Sequence, residues 1–299
     1  MAQQSYVYGG QAVIEGVMIR GRHVYSVAVR HPDGGIRTLL KPVPAWSTSR
    51  WRRVPFLRGT LVLGETLAIG MKALMYSGQV AAAEGDDEQP IPWWAMIMTL
   101  AISLGFGILL FFMAPLFVAH GLVDRFVDNA IVSNFVEGVV RLVIFFIYLM
   151  LISMMPDIKR VFAYHAAEHM SVHAHEHRLP LEPENVRQFP AAHPRCGTAF
   201  LLTVLIVSLF VFTLLGSPDW PWLISSRIVL LPLIAGISYE IIRFNARHEG
   251  NSLVRLTALP GLWLQNITTR PPEDDQIEVA IAAMNAAIQG DAEAEAQPA

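Results

Sequence analysis

The sequence predicts a mainly α-helical, polytopic membrane protein: four transmembrane helices, a small N-terminal β unit and cytoplasmic helices. Three observations carry that expectation. Of 299 residues, 53% are hydrophobic and only 16% charged, where a soluble domain carries about 25% charge. Four apolar segments reach the roughly 20 residues needed to cross a bilayer. Near the N-terminus, two runs rich in β-branched and apolar residues flank Pro32-Asp33-Gly34-Gly35, a hairpin signal. The net charge of −3 shows no basic excess, so the lipid bilayer is an expected partner and nucleic acid is not. Protein partners are left open.

Residues 1–56 read as a cytoplasmic β unit, with strands at Val24–Arg30 and Ile36–Leu40. Its start, Met1 to Tyr6, has neither a basic region nor an apolar run, so no cleaved signal peptide is expected. Its glycines form no phosphate-binding pattern. Glu15, in an apolar run, reads either as a site residue or as a strand residue facing solvent. Residues 57–92 combine a long helix with an acidic linker, Glu84 to Pro90. Arg58, Glu65, Lys72 and Gln79 recur every seventh residue, which keeps them on one narrow stripe.

The expected spans are 93–118 and 136–155, forming a first pair over 93–155, and 198–216 and 222–239, a hairpin over 198–239. Trp93, Trp94, Trp220 and Trp222 sit at their ends, as interfacial anchors do. Arg227, near the outer end of the last span, is expected to snorkel. The spans hold almost no acids, which weakens an ion-path reading. Ten Lys and Arg precede residue 93, one lies in 119–135, five in 156–197 and four beyond 240. The positive-inside rule therefore puts both termini and the 156–197 loop in the cytoplasm, with the chain multi-pass in the cytoplasmic membrane. The same count places the 57–83 helix on the cytoplasmic face. Residues 240–299 read as cytoplasmic helices, broken near Gly250 and Pro260. The last helix has Ile277, Ile281, Met284 and Ile288 on its apolar face, and the tail from Gly290 is expected to be disordered.

The chemistry concentrates in the 156–197 loop, which holds six of the ten histidines. Its helix is expected to begin at Asp157, a candidate N-cap. Tyr164-His165-Ala166-Ala167-Glu168-His169 reads H-x-x-E-H, the inverted zinc-peptidase pattern. On a helix His165 and His169 share a face and can reach one ion, and Glu168 lies beside them as a general base. Zinc lowers the pKa of the water it binds to about 7, and a nearby carboxylate shuttles the proton. A zinc site needs a third protein ligand. Glu240, where the last span meets the cytoplasm, is the first candidate, with an ion pair to Arg243 as the alternative. His193 and Cys196 are in reserve. His173, His175 and His177 read as a metal-collecting tract or a solvated loop. The leading function is a zinc-dependent (or other divalent transition metal) hydrolase at the cytoplasmic membrane surface, acting on a peptide or amide bond by motif analogy. The alternative is a non-catalytic metal-binding scaffold, an ion-handling protein or a membrane assembly protein using the same histidines.

Several stretches together resemble one family. They are Gly10 to Met18, Tyr164 to His169, His193-Pro194-Arg195-Cys196-Gly197-Thr198, Gly236 to Arg243, Pro260 to Gln265 and Thr268-Thr269-Arg270. In this order they resemble the YqhQ-like family of uncharacterised bacterial membrane proteins, usually described as predicted metal-dependent enzymes. The family pattern has glycine at Ala166 and often lysine at Met170; neither change touches a proposed ligand. The resemblance covers nearly the whole chain and implies a metal-dependent enzyme in the membrane.

Overall fold

Four short strands form an antiparallel meander in the order β1 (Gly9–Val13), β2 (Gly16–Arg20), β3 (Val24–Arg30) and β4 (Ile36–Pro42). The expected hairpin is present: β3 and β4 pair from Val24 with Pro42 to Arg30 with Ile36, and Gly34 takes the positive φ its turn requires. Alternation along a strand sends neighbouring side chains to opposite faces, and here both faces are covered. Met18, Tyr25, Val27 and Val29 pack with Ile69, Ala73 and Val80 of α1 (Leu57–Ala81). Val17, Ile19 and Ala28 pack on the other side against α5 (Pro156–Glu176) and α11 (Asp274–Ala296). The computed structural model describes residues 8–44, 46, 51, 54–83, 92–122, 125–126, 128–216, 219–248 and 250–296. The acidic linker Glu84 to Pro90 and the side chains of Trp93 and Trp220 lie outside these.

The α1 stripe is not a plain solvated edge. Arg58 bonds the Glu240 carboxylate, and Glu65 is buried and bonded by Arg20 Nε at 2.9 Å. The C-terminal tail also departs from expectation. Ala and Glu favour helix, and α11 runs through Ala296, beyond the expected break at Gly290. Asp291 is buried and accepts the backbone N–H groups of Arg22, His23 and Val24 at 2.6, 2.7 and 3.2 Å. It ties α11 to the β2–β3 turn.

The apolar helices are α2 (Trp93–Ile108), a π-helical turn (Leu109–Met113), α3 (Ala114–Leu122), α4 (Ala130–Ile152), α7 (Gly197–Thr213), α8 (Trp220–Val229), α9 (Leu231–Arg247) and α10 (Ser252–Thr268). Among the described residues, two helices are long and apolar enough to cross a membrane, Ile97–Ala119 and Ala130–Ile152. They become three if α8 and α9, bent by 41° at their break, form one span. Among the described residues, length and composition thus support two to three spans rather than four straight ones. The third expected span is a 17-residue helix, and Pro232 interrupts the fourth at the N-terminus of α9. Pro260, expected to end a helix, instead lies inside α10. Ile97, Ile102, Leu104 and Phe106 are exposed, as suits a lipid-facing helix.

Arg227 does not snorkel. It and Arg141 are fully buried against one carboxylate, Glu137 of α4. Arg227 Nη2 donates at 2.5 Å, and Arg141 Nε satisfies the Phe111 carbonyl in the π turn at 2.9 Å. Phe212 stacks beneath both guanidinium groups, 4.2 Å from Arg227 and 5.1 Å from Arg141. Glu137, an acid inside an expected span, is thus tied to two arginines.

Two outcomes follow from these contacts. Asp291→Ala should lower stability by about 2–3 kcal/mol, because three amides lose a charged acceptor, with faster hydrogen exchange at Arg22, His23 and Val24. Glu137→Ala strands two buried guanidinium groups and should cost about 3–5 kcal/mol, read as a lower thermal midpoint in detergent.

Candidate metal centre

α5 begins with Pro156 in its first turn, where the absent N–H is no loss, and Asp157 follows it inside the helix; neither residue is the cap, which is Met155. The helix is held against the sheet at two points. Glu15, at φ 49° in the two-residue β1–β2 turn, accepts Arg160 Nε and Nη2 at 2.7 and 2.5 Å and the Tyr164 hydroxyl at 3.3 Å. It is neither a site residue nor a strand residue facing solvent, but a link from the turn to α5. One turn further on, Glu168 is buried against Gly10, whose N–H donates to it. A Cβ at Gly10 would stand 2.7 Å from the Glu168 carboxylate and 2.6 Å from the Met18 carbonyl. Only glycine fits there.

His165 and His169 project from one face of α5, their rings 4.3 Å apart. Cys196, the N-cap of α7, faces them, with its sulfur 3.2 Å from His165 Nε2. One ligand atom from each of the three lies within 4.8 Å of the others. Backbone carbonyls orient both rings: His165 Nδ1 donates to Thr268 at 2.8 Å and His169 Nδ1 to Ala191 at 2.6 Å. That choice of tautomer leaves each Nε2 as the lone-pair nitrogen, as in ligating histidines. Two imidazoles and a thiol are a zinc-type donor set. By donor type, spacing and tautomer these residues fit such an ion.

Burial pushes the Glu168 carboxyl up from its ordinary value, opposed by His165, His193 and the Gly10 amide. Burial likewise pushes His169 down, which favours the neutral form a metal needs. The Glu168 carboxylate stands 3.6 Å from His169 Nε2, within reach of a molecule seated beside the ligands.

Glu240 is not brought to this centre. Its carboxylate is held by the Arg58 guanidinium, through Nε at 2.6 Å and through Nη2, and by the Phe56 N–H at 3.3 Å. Arg243, the ion-pair partner considered from sequence, is not the residue that bonds it. The first candidate for third ligand is therefore replaced by Cys196. His193 is buried next door, its ring 5.5 Å from that of His169. The tract after it divides: His173 continues the ligand face, His175 meets Tyr8 edge-on at 5.0 Å, and His177 caps the helix.

Sequence reasoning missed the residues that hold the ligands. Gln265 of α10 is fully buried and clamps both sides of His193, accepting its N–H at 2.7 Å and donating to its carbonyl at 2.9 Å. Thr268, one turn on, supplies the carbonyl for His165. Gln265 closes the Pro260–Gln265 stretch and Thr268 opens the Thr268–Arg270 one, so a polar residue in an otherwise apolar helix was the available signal. Gln265→Ala should release the 191–196 turn and weaken metal affinity by about 10–100-fold, read by competition with a chromogenic chelator.

The chain matches the family described as "Protein of unknown function (DUF1385)" over residues 54–290. It is 35% identical over 293 residues to the "Uncharacterized protein YqhQ" of Bacillus subtilis (strain 168), covering 93% of this chain and 91% of that one. No solved structure matches it. The match spans His165, His169 and Cys196 and the helices that carry them, and the chain belongs to the YqhQ-like DUF1385 family.

Proposed function

We propose that this protein is a metal-dependent hydrolase working where the membrane meets the cytoplasm, with a zinc-type ion held by His165, His169 and Cys196. The observation that carries the reading is the convergence of those three donors within 4.8 Å, beside a buried carboxylate. When bound, the ion supplies Lewis acidity to water or to a carbonyl. Glu168 takes a proton from the attacking water and returns it to the leaving group, a role suited to a carboxyl that burial has pushed toward neutrality. The Gly10 amide holds that carboxylate in place. The reading also keeps four membrane passes, with α7 as a short span and α8–α9 as a bent one, and both termini cytoplasmic by their positive charge. A peptide or amide bond remains the target by motif analogy.

A mostly apolar cavity of about 450 Å³ backs onto the turn that carries His193 and Cys196. Ala192, Pro194, Thr203, Ile242, Val254 and Gln265 are among its lining residues. It suits the apolar part of a membrane-derived substrate. The second reading, a non-catalytic metal scaffold, is favoured by one observation: Glu168 is only 4% exposed, and Gly10 covers it.

Metal analysis of purified protein separates the two readings. Wild type should carry zinc, and His165→Ala and Cys196→Ser should lose it. Glu168→Gln should keep the metal yet fail to complement a deletion strain. Wild-type protein purified from zinc-replete cells without any metal would sink the proposal. Full complementation by Glu168→Gln would select the scaffold.

A further inference from the structure

The ligand face of α5 does not stop at His169. His165, His169, His173 and Glu176 succeed one another at steps of four, four and three residues, which keeps them on one side of the helix. Opposite the far half of that row stands His193. His173, Glu176 and His193 bring one ligand atom each within 4.8 Å of the others, a second three-donor group that shares no residue with the first. The ring of His193 lies 4.6 Å from that of His173 and 5.5 Å from that of His169, so the two groups are neighbours. They are also built alike. The carbonyls of consecutive residues, Ala191 and Ala192, accept from His169 and His173 at 2.6 and 3.0 Å, leaving one lone-pair nitrogen on each ring. His193 is held in the opposite tautomer: its Nδ1 accepts the Arg195 N–H at 3.2 Å, which puts the ring proton on Nε2, 3.7 Å from Glu176, so an ion bound at Nε2 takes the place of that proton.

We propose that the centre is binuclear, with a second divalent cation held by His173, Glu176 and His193 beside the one at His165, His169 and Cys196. The inference rests on the metal reading of the first group and goes beyond it. Two nitrogens and a carboxylate oxygen form a harder set than the thiol-containing one, so the sites differ in character. A pair of adjacent cations can clamp the attacking and leaving oxygens of one displacement.

Arg195 sets the condition for filling the second site. Its guanidinium bonds Glu176 and lies 3.5 Å from His193 Nε2, where it supplies the positive charge that the carboxylate otherwise lacks. A cation entering there displaces it, so the second site binds more weakly than the first. The Arg195 and Glu176 side chains are 31% and 29% exposed, which leaves the arginine an edge open to solvent into which it can swing.

The full-length protein in detergent, stripped with chelator and titrated with Co²⁺, tests this. Two ions per chain are expected. The first should bring thiolate-to-cobalt charge-transfer absorption from Cys196, and the second only ligand-field bands. His173→Asn and Glu176→Gln should each bind one ion with the charge-transfer band intact. Arg195→Gln should bind the second ion at least about tenfold more tightly, the size expected on removing a like charge within about 4 Å. One ion per wild-type chain at saturation, with the charge-transfer band present, overturns the second site and leaves the first standing. Two ions that neither His173→Asn nor Glu176→Gln reduces also overturn it. No bound ion at all removes the first reading together with the second.

Discussion

Everything around α5 answers one constraint: ionisable side chains are buried together where the membrane helices meet the sheet. Glu168, His169 and His193 are each no more than 5% exposed, and Cys196 is buried beside them. Such groups are tolerated only when each finds a partner. The partners here are mostly backbone, from segments far apart in sequence: the Gly10 amide, the carbonyls of Ala191 and Ala192, and the carbonyl of Thr268. Backbone partners cannot swing away as side chains do. Their use fixes the strand β1, the 191–196 turn and the end of α10 relative to one helix face. Arg270 N–H, bonded to the Phe162 carbonyl at 3.1 Å, completes the join between α10 and α5.

The apolar helices solve a similar problem differently. Glu137, Arg141 and Arg227 satisfy one another, with Ser208, the Phe111 carbonyl and the Phe212 ring taking what remains. That cluster joins α4 to α8 and to the π turn, and its donors are turned inward onto a single carboxylate. It is an ionic tie between helices. In the α5 centre, by contrast, His165 Nε2 meets the Cys196 sulfur at 3.2 Å, a ligand atom of His169 lies within 4.8 Å of both groups, and the Glu168 carboxylate stands 3.6 Å from His169 Nε2. Two imidazoles and a thiol gathered about one point, rather than guanidinium groups closing on a carboxylate, are what make one cluster a candidate site and the other a structural one.

Local signals were legible in the sequence and long-range ones were not. The Pro32–Gly35 turn, the amphipathic α1 and α11, and the His165–His169 face all depend on periodicities within one element, and all are present. The third ligand depends on how α7 and α9 approach α5. Depth in the membrane suggested Glu240, but depth does not specify azimuth. Arg58, 182 positions away in sequence, claims that carboxylate instead. The third and fourth expected spans differ from straight full-length helices for a related reason. Hydropathy adds up apolar residues without registering that a proline after Leu230 bends the chain, or that Arg227 has a buried partner in another helix. The role of Asp291 was hidden in the same way, because an acidic, alanine-rich tail looks solvated until its amide partners are known.

Burial and the proposed cation act on the same two groups of the α5 centre. Burial shifts Glu168 up and His169 down, each toward its neutral form. For the histidine that is the ligating form, so burial and metal binding act in the same direction. For the carboxylate they act in opposite directions, since a nearby divalent charge stabilises the ionised form that burial penalises. A cation among His165, His169 and Cys196 would therefore favour the ionised Glu168 that a proton acceptor has to be, while burial keeps its proton affinity up. The same logic separates the neighbouring group, where burial acts against ionisation of Glu176 but His193 and Arg195 hold it below the ordinary carboxylate value. There the protein already provides a cation, and an ion must compete with an arginine.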